Sequence, residues 1–355
     1  MAATPTAPVP AVRRPLSMPV VWYPSTSLTE DECTTLAANA GGIVVHGKSG
    51  ADMGVRLRKH GYSGWLVLDP AMGKAVAVAP PANLFGVCEW LEREQSAGVT
   101  EFLSPGEFVP AGDRATLTRV IAEQATWVAG APGVGRINLY LDARWLRNAQ
   151  DVITALRTDA DAGMRVALAF GHRADPLAAV GAVKGYVHLL HGLGDVAVLR
   201  SDLGAVGGSV HGASWTAIGT GTSTRHFQIP GGKKNTGAPG DKTPSAIMRD
   251  LLGFKLGSSL MSLPNNLVPV CHLSCCGGQP LSRFNSEQWS AQVRDHNQVT
   301  VNAIVAHLRS MPARRRRTEW KSMCQAAVAY GTHLAGRTHD PRFEATPQIK
   351  QWATL

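Results

Sequence analysis

Three of the six cysteines of this 355-residue chain lie within six positions, in Cys271-His272-Leu273-Ser274-Cys275-Cys276-Gly277-Gly278. Asp295-His296-Asn297 follows, with His296 placed 20 positions after Cys276. Thiolates and imidazoles at such spacing are what tetrahedral zinc requires, because a turn can aim several soft ligands at one point. Cys-Cys-Gly-Gly is turn chemistry, although a buried cysteine pair beside a surface histidine would use the same letters. Four ligands must come from five candidates. The expected set is Cys271, Cys275, Cys276 and His296, with His272 in reserve, around one structural Zn2+.

The elements that would carry such a site are legible as apolar runs. β-Branched and apolar stretches at 18–23, 42–46, 64–69, 100–103, 136–141, 165–170, 195–199 and 215–219 predict eight strands. Helical patterns fall between them, near 51–59, 83–96, 113–128, 149–162 and 175–193, and Ser27-Leu28-Thr29-Glu30-Asp31 reads as a further helix start. Eight strand–helix units in order predict a closed parallel (β/α)8 TIM-like barrel over 18–229. An open doubly wound sheet is the alternative. It is less favoured because no glycine-rich nucleotide fingerprint follows the first strand.

Flanking segments complete the expected layout. Residues 1–17 read as a disordered leader, 230–244 as a basic loop containing Lys233-Lys234, and 245–340 as a zinc-binding and helical region. Within that region, helices at 297–310 and 318–334 are expected on either side of Arg314-Arg315-Arg316-Arg317, and 341–355 is expected to be a tail.

A barrel of this kind places its chemistry at the carboxyl ends of its strands. Three carboxylates close apolar runs there, Asp69, Asp142 and Asp202, and each can serve as nucleophile, base or hydrogen-bond acceptor. Each also reads as a helix or turn cap. Arg200, His172 and Arg173, and then Thr222, Arg225 and His226, are the polar residues at the later strand exits. Gly219-Thr220-Gly221-Thr222-Ser223 with Arg225 fits a phosphate-binding turn.

These residues partly resemble tRNA-guanine transglycosylases, the queuine and archaeosine tRNA-ribosyltransferases. Cys271 and Cys276 have the outer spacing of that family's cysteine motif, and His296-Asn297 is similar to its His-Asn. Leu273 stands at the middle cysteine, so Cys275 or His272 would substitute. Asp69 resembles the Asp of the family's Asp-Ser-Gly-Gly-Phe-Gln stretch, and Arg225-His226 resembles its terminal Arg-His. Ala217 or Ile218 stands where the family has its nucleophilic Asp. The resemblance implies exchange or cleavage at the N-glycosidic bond of a purine or 7-deazapurine in tRNA, DNA or a nucleotide. Such chemistry needs two carboxylates; Asp202 and Asp69 form the expected pair, with Asp142 in reserve.

The formal net charge of +9 mildly favours a polyanionic partner, and Arg314 to Arg317 would add a sequence-independent backbone contact. No run approaches the roughly 18 apolar residues of a membrane helix. Clustered cysteines suit a reducing, cytoplasmic setting, with Cys33, Cys88 and Cys324 as buried thiols. A homodimer is compatible with the sequence. Two other readings fit the same letters: a nucleic-acid-binding or partner subunit without chemistry, and an unrelated barrel enzyme on a small phosphorylated substrate.

Overall fold

The predicted runs form one closed cylinder. The computed structural model describes residues 20–24, 28–47, 49–70, 98–130, 135–159, 164–231 and 241–355. Within them, β1 (Val20–Tyr23), β2 (Gly42–His46), β3 (Trp65–Asp69), β4 (Glu101–Leu103), β6 (Gly135–Asp142), β7 (Val166–Gly171), β8 (Val196–Ser201) and β9 (Trp215–Gly219) pair in parallel. β4 pairs with β6 and β9 pairs with β1, which closes eight strands into a barrel. A two-residue strand, β5 (Phe108–Val109), lies along the far end of β6.

Strand parity sorts the apolar side chains into two sets, because successive residues face opposite sides of a sheet. Val21, Val44, Val67, Leu103, Ala169 and Leu199 belong to a cluster inside the barrel. Ile43, Leu66, Phe102, Leu139, Leu168 and Val198 belong to the larger cluster shared with the surrounding helices. Burial on both faces is why each strand reads as a near-continuous apolar run. Bulky Trp65, Trp215, Tyr23 and Tyr140 on the inner face are complemented by Ala167, Ala169, Ala197 and Ala217.

The amino-terminal end of the barrel is closed by charge. Arg136 is wholly buried, pairs with Glu101, and donates from Nη1 to Asp195 Oδ1 at 2.7 Å. Its guanidinium carbon lies 5.7 Å from the Trp215 ring centre.

Local signals account for several helix starts. Thr29 caps the helix Glu30–Asn39 with a reciprocal bond to Glu32. Asp113 Oδ1 accepts from the Thr116 amide as the helix Arg114–Gly130 begins. Other expectations need correction. The helix predicted over 175–193 occupies only Ala182–Leu193, since Asp175 caps a turn at Leu177 and Gly181 is left-handed at φ 79°. The four arginines do not separate two helices. Pro312 starts the helix Ala313–Thr338, so Arg314 to Arg317 form its first turns. The expected tail contains the helix Pro347–Thr354, with Ile349 and Trp352 buried.

The predicted leader, the helix near 83–96 with Cys88, and Lys233-Lys234 lie outside the described residues. Cys33 and Cys324 are buried free thiols. Among the described residues no helix is long and apolar enough to cross a membrane.

Candidate functional site

The hairpin of β10 (Ser245–Met248) and β11 (Gly253–Leu256), the turn 271–280 and the helix Ser290–Ser310 converge beside the barrel. The turn forms because Gly277 and Gly278 take φ of 57° and 85°, a region that favours glycine. It brings Cys271, Cys275 and Cys276 to His296, with all four ligand atoms within 4.8 Å of one another. The four donors are the expected ones. Cys276 Sγ lies 3.4 Å and Cys275 Sγ 3.8 Å from His296 Nδ1. His296 Nε2 is 2.9 Å from the Ile247 carbonyl oxygen, which makes it the N–H donor and leaves the Nδ1 lone pair facing the sulfurs. Burial and the neighbouring Cys276 and Cys271 charges push the Cys275 thiol up. The donor set can hold one metal ion. His272, the reserve ligand, is outside the group and lines a cavity of about 200 Å³ beside it.

The barrel mouth contains a second polar group, built on inward-facing strand positions. Asp69 ends β3 with no exposed surface. Tyr23 donates to its Oδ2 at 2.5 Å, Tyr140 to its Oδ1 at 2.6 Å, and Asn138 Nδ2 to Oδ1 at 3.1 Å. Burial, together with the Asp69 charge, holds both phenols well above their ordinary range. Arg200 Nε donates to the Tyr23 oxygen at 3.0 Å. For Arg200, burial opposes the charge but is outweighed by Tyr23, Tyr140 and Asp69. His46 stacks on Tyr23 at 4.5 Å, and burial followed by the Arg200 charge lowers it to about 4, so it is neutral. Phe227 packs 4.8 Å from Tyr140 and 5.9 Å from Phe108.

Asp202, the expected partner of Asp69, is held by different residues. Gln348 Nε2 reaches both its oxygens at 2.6 Å, and the Gly204 amide donates to Oδ1 at 3.0 Å. Asp175 is pushed up by burial and then by the Asp202 charge. His226 lies in the same environment and is lowered mainly by burial. Arg225 is 7% exposed, with its guanidinium carbon 3.8 Å from the Phe254 ring centre, so it packs against the β10–β11 hairpin. Thr222 opens a single helical turn, Thr222–Arg225.

Asp142 caps the turn Ala143–Asn148 and pairs with the exposed Arg144 at 2.8 Å. His172 accepts from the Ala174 amide, its own amide donates to the Phe227 carbonyl, and Arg173 is exposed. Two groups therefore exist at the rim: Asp69 with Arg200, and Asp202 with Asp175, Arg225 and His226. On β9 the inward positions are Trp215, Ala217 and Gly219, none of which carries a carboxylate.

Sequence reasoning did not single out Tyr23, Asn138, Tyr140 or Gln348. For the strand residues a signal existed, since Asn138 and Tyr140 share inward parity between the outward Ile137, Leu139 and Leu141. Gln348 offered none.

No protein-family model and no curated protein matches the chain. Among solved structures it is similar to a xylose isomerase-like TIM barrel/4-hydroxyphenylpyruvate dioxygenase fusion protein, at 13% identity and TM-score 0.38, covering 63% of this chain and 40% of that one. It is also similar to thiamine phosphate pyrophosphorylase from Pyrococcus furiosus, at 12% identity and TM-score 0.33, covering 59% of this chain and 90% of that one. A third is the carboxyl transferase domain of Rhizobium etli pyruvate carboxylase, at 12% identity and TM-score 0.40, covering 95% and 60%. The chain thus spans under half the length of the first and three fifths of the third.

Proposed function

We propose that this chain is a transglycosylase-like barrel enzyme acting on the N-glycosidic bond of a purine or 7-deazapurine, in tRNA, in DNA or in a nucleotide. The supporting observation is the convergence of Cys271, Cys275, Cys276 and His296 into one donor set behind a closed barrel. Three sulfurs and one imidazole suit zinc in a closed structural site, where it would tie the turn 271–280 to the helix Ser290–Ser310. Asp69 is the mouth carboxylate in this reading. Fixed by Tyr23, Tyr140 and Asn138, it offers negative charge toward a ring carbon that becomes cationic as the base leaves. Asp142, the reserve carboxylate, takes the place of Asp202 for proton transfer to the base in this reading, because both Asp202 oxygens are held by Gln348. The net charge of +9 favours a nucleic acid partner.

A second reading has its own support. Asp69 is wholly buried under three donors, and both oxygens of Asp202 are bonded to Gln348, an arrangement that suits a binding or partner subunit without turnover. Incorporation of labelled guanine or a 7-deazaguanine into tRNA and duplex DNA separates the two. The enzyme reading expects exchange by the wild type and a loss of at least a hundredfold in Asp69→Asn. Tight, salt-sensitive tRNA binding with no exchange by metal-replete protein would establish the second reading.

A further inference from the structure

We infer that Arg200 is an oxyanion receptor in the barrel mouth, presenting the Nη1/Nη2 end of its guanidinium to an anionic group of the substrate. This adds a ligand class to the proposed reading, which would supply that anion as a nucleotide phosphate.

The backbone shows how Arg200 is aimed. β8 and β9 pair through Val198↔Thr216 and again through Ser201↔Ile218. Leu199 and Arg200 together therefore oppose the single residue Ala217, which is a β-bulge. Arg200 takes up the extra residue at φ 50°, a left-handed conformation that side chains other than glycine rarely adopt. A bulge at a barrel rim redirects a side chain, and here Arg200 turns over two aromatic rings. Its guanidinium carbon lies 4.9 Å from the Tyr23 ring centre and 5.8 Å from that of Phe227.

Among the described residues, hydrogen bonding fixes one edge of the guanidinium and leaves the other without a partner. Nε donates to the Tyr23 oxygen, and that hydroxyl donates onward to Asp69. Asp69 supplies the countercharge through the phenol, while its own oxygens are engaged by Tyr23, Tyr140 and Asn138. Among the described residues neither Nη1 nor Nη2 has a hydrogen-bond partner. His46, stacked on Tyr23, is neutral and adds no competing charge. An arginine held at Nε by a buried relay offers its two terminal nitrogens as a fork, which matches carboxylate or phosphate oxygens in bidentate fashion. The phenyl faces beside it lower the local polarity and strengthen the pairing.

The test is a titration of the full chain with inorganic phosphate at low chloride, read by 31P line broadening. Wild type is expected to bind saturably. Arg200→Gln should weaken binding at least tenfold, and Arg200→Lys, which keeps the charge and loses the fork, severalfold. Tyr23→Phe, which frees Nε, should also weaken binding severalfold and serves if the Arg200 variants do not fold, as judged by circular dichroism. Phosphate binding equal to wild type in a folded Arg200→Gln, or none by the wild type to either phosphate or acetate, overturns the inference. Displacement of phosphate by equimolar acetate assigns the site to carboxylates, and resistance assigns it to phosphates; both keep Arg200 as the receptor. The measurement needs no turnover. Base exchange that is independent of anion binding at Arg200 would remove this inference alone, and anion binding at Arg200 without base exchange would remove the transglycosylase reading alone.

Discussion

Gln348 and Asp202, 146 residues apart, meet at the barrel rim, where the Gln348 amide nitrogen lies 2.6 Å from each Asp202 oxygen. The glutamine is 1% exposed, and its helix is anchored by Trp352, packed among Tyr186, His211 and Trp320. Gln351 extends the attachment by donating to the Leu177 and Ala179 carbonyls at 2.9 Å. Gln348→Ala should lower stability by about 1–3 kcal/mol, because it leaves a half-buried carboxylate without its main donor. Trp352→Ala should cost about 3–5 kcal/mol. Urea midpoints measure both. An unchanged midpoint in Trp352→Ala would show that the C-terminal helix does not brace the barrel in solution.

The Cys3His donor set predicts a stoichiometry. Freshly purified protein should contain close to one zinc per chain by elemental analysis, and Cys276→Ala should contain almost none. Chelation should lower the thermal midpoint of the wild type and leave that variant unaffected, because metal binding free energy is folding free energy. His272→Ala should keep its zinc, since His272 is outside the donor set. Zinc lost from His272→Ala but retained by Cys275→Ala would require a different set of ligands.

At the opposite end of the barrel, Arg136 depends on Glu101 and Asp195 for its countercharge. Removing one partner of a buried pair leaves the other charge uncompensated, which costs about 3–5 kcal/mol. Glu101→Ala should therefore destabilise the chain by about that amount. The double variant Arg136→Met with Glu101→Leu should recover most of it. Denaturation curves for the three proteins decide the matter, and failure of the double variant to recover would point to a role for the pair beyond charge balance.

Two histidines set a pH dependence. Burial first, then Arg200 for His46 and Arg317 for His211, lowers both to about 4 in the fold. In the unfolded chain they regain a value near 6.5, so the unfolded state takes up the protons first. Stability should be flat above that value and fall as pH drops from about 6.5 toward 4. A thermal midpoint several degrees lower at pH 5.5 than at pH 7.5 is expected, and the difference should shrink in His211→Gln. An equal difference in that variant would mean that His211 does not titrate with unfolding.

The sequence by itself determined the strands and the grouping of three cysteines with His296, for a common physical reason. A parallel strand buried on both faces is apolar along most of its length, with exceptions such as Arg136 and Asn138 that find buried partners, so all eight appear as runs, and the rhythm of runs and helices is the barrel. The cysteine turn is equally local: Cys275, Cys276 and the two glycines that allow the bend are contiguous, and only His296 comes from another element.

Tertiary structure alone decided which strand-end residues meet. Asp69 continues the inward parity of Trp65 and Val67, and therefore reaches the mouth. Asp202 lies beyond a bulge that shifts the register of β8, and therefore does not share the Asp69 environment. The same one-residue insertion turns Arg200 inward, and no periodicity in Val-Ala-Val-Leu-Arg-Ser announces it. Tyr23 and Tyr140 read as ordinary strand aromatics until closure of the barrel brings β1, β3 and β6 to one carboxylate. Gln348 stands beside Asp202 only because an amphipathic helix at 347–354 must bury Trp352, and the barrel wall provides the place to do so.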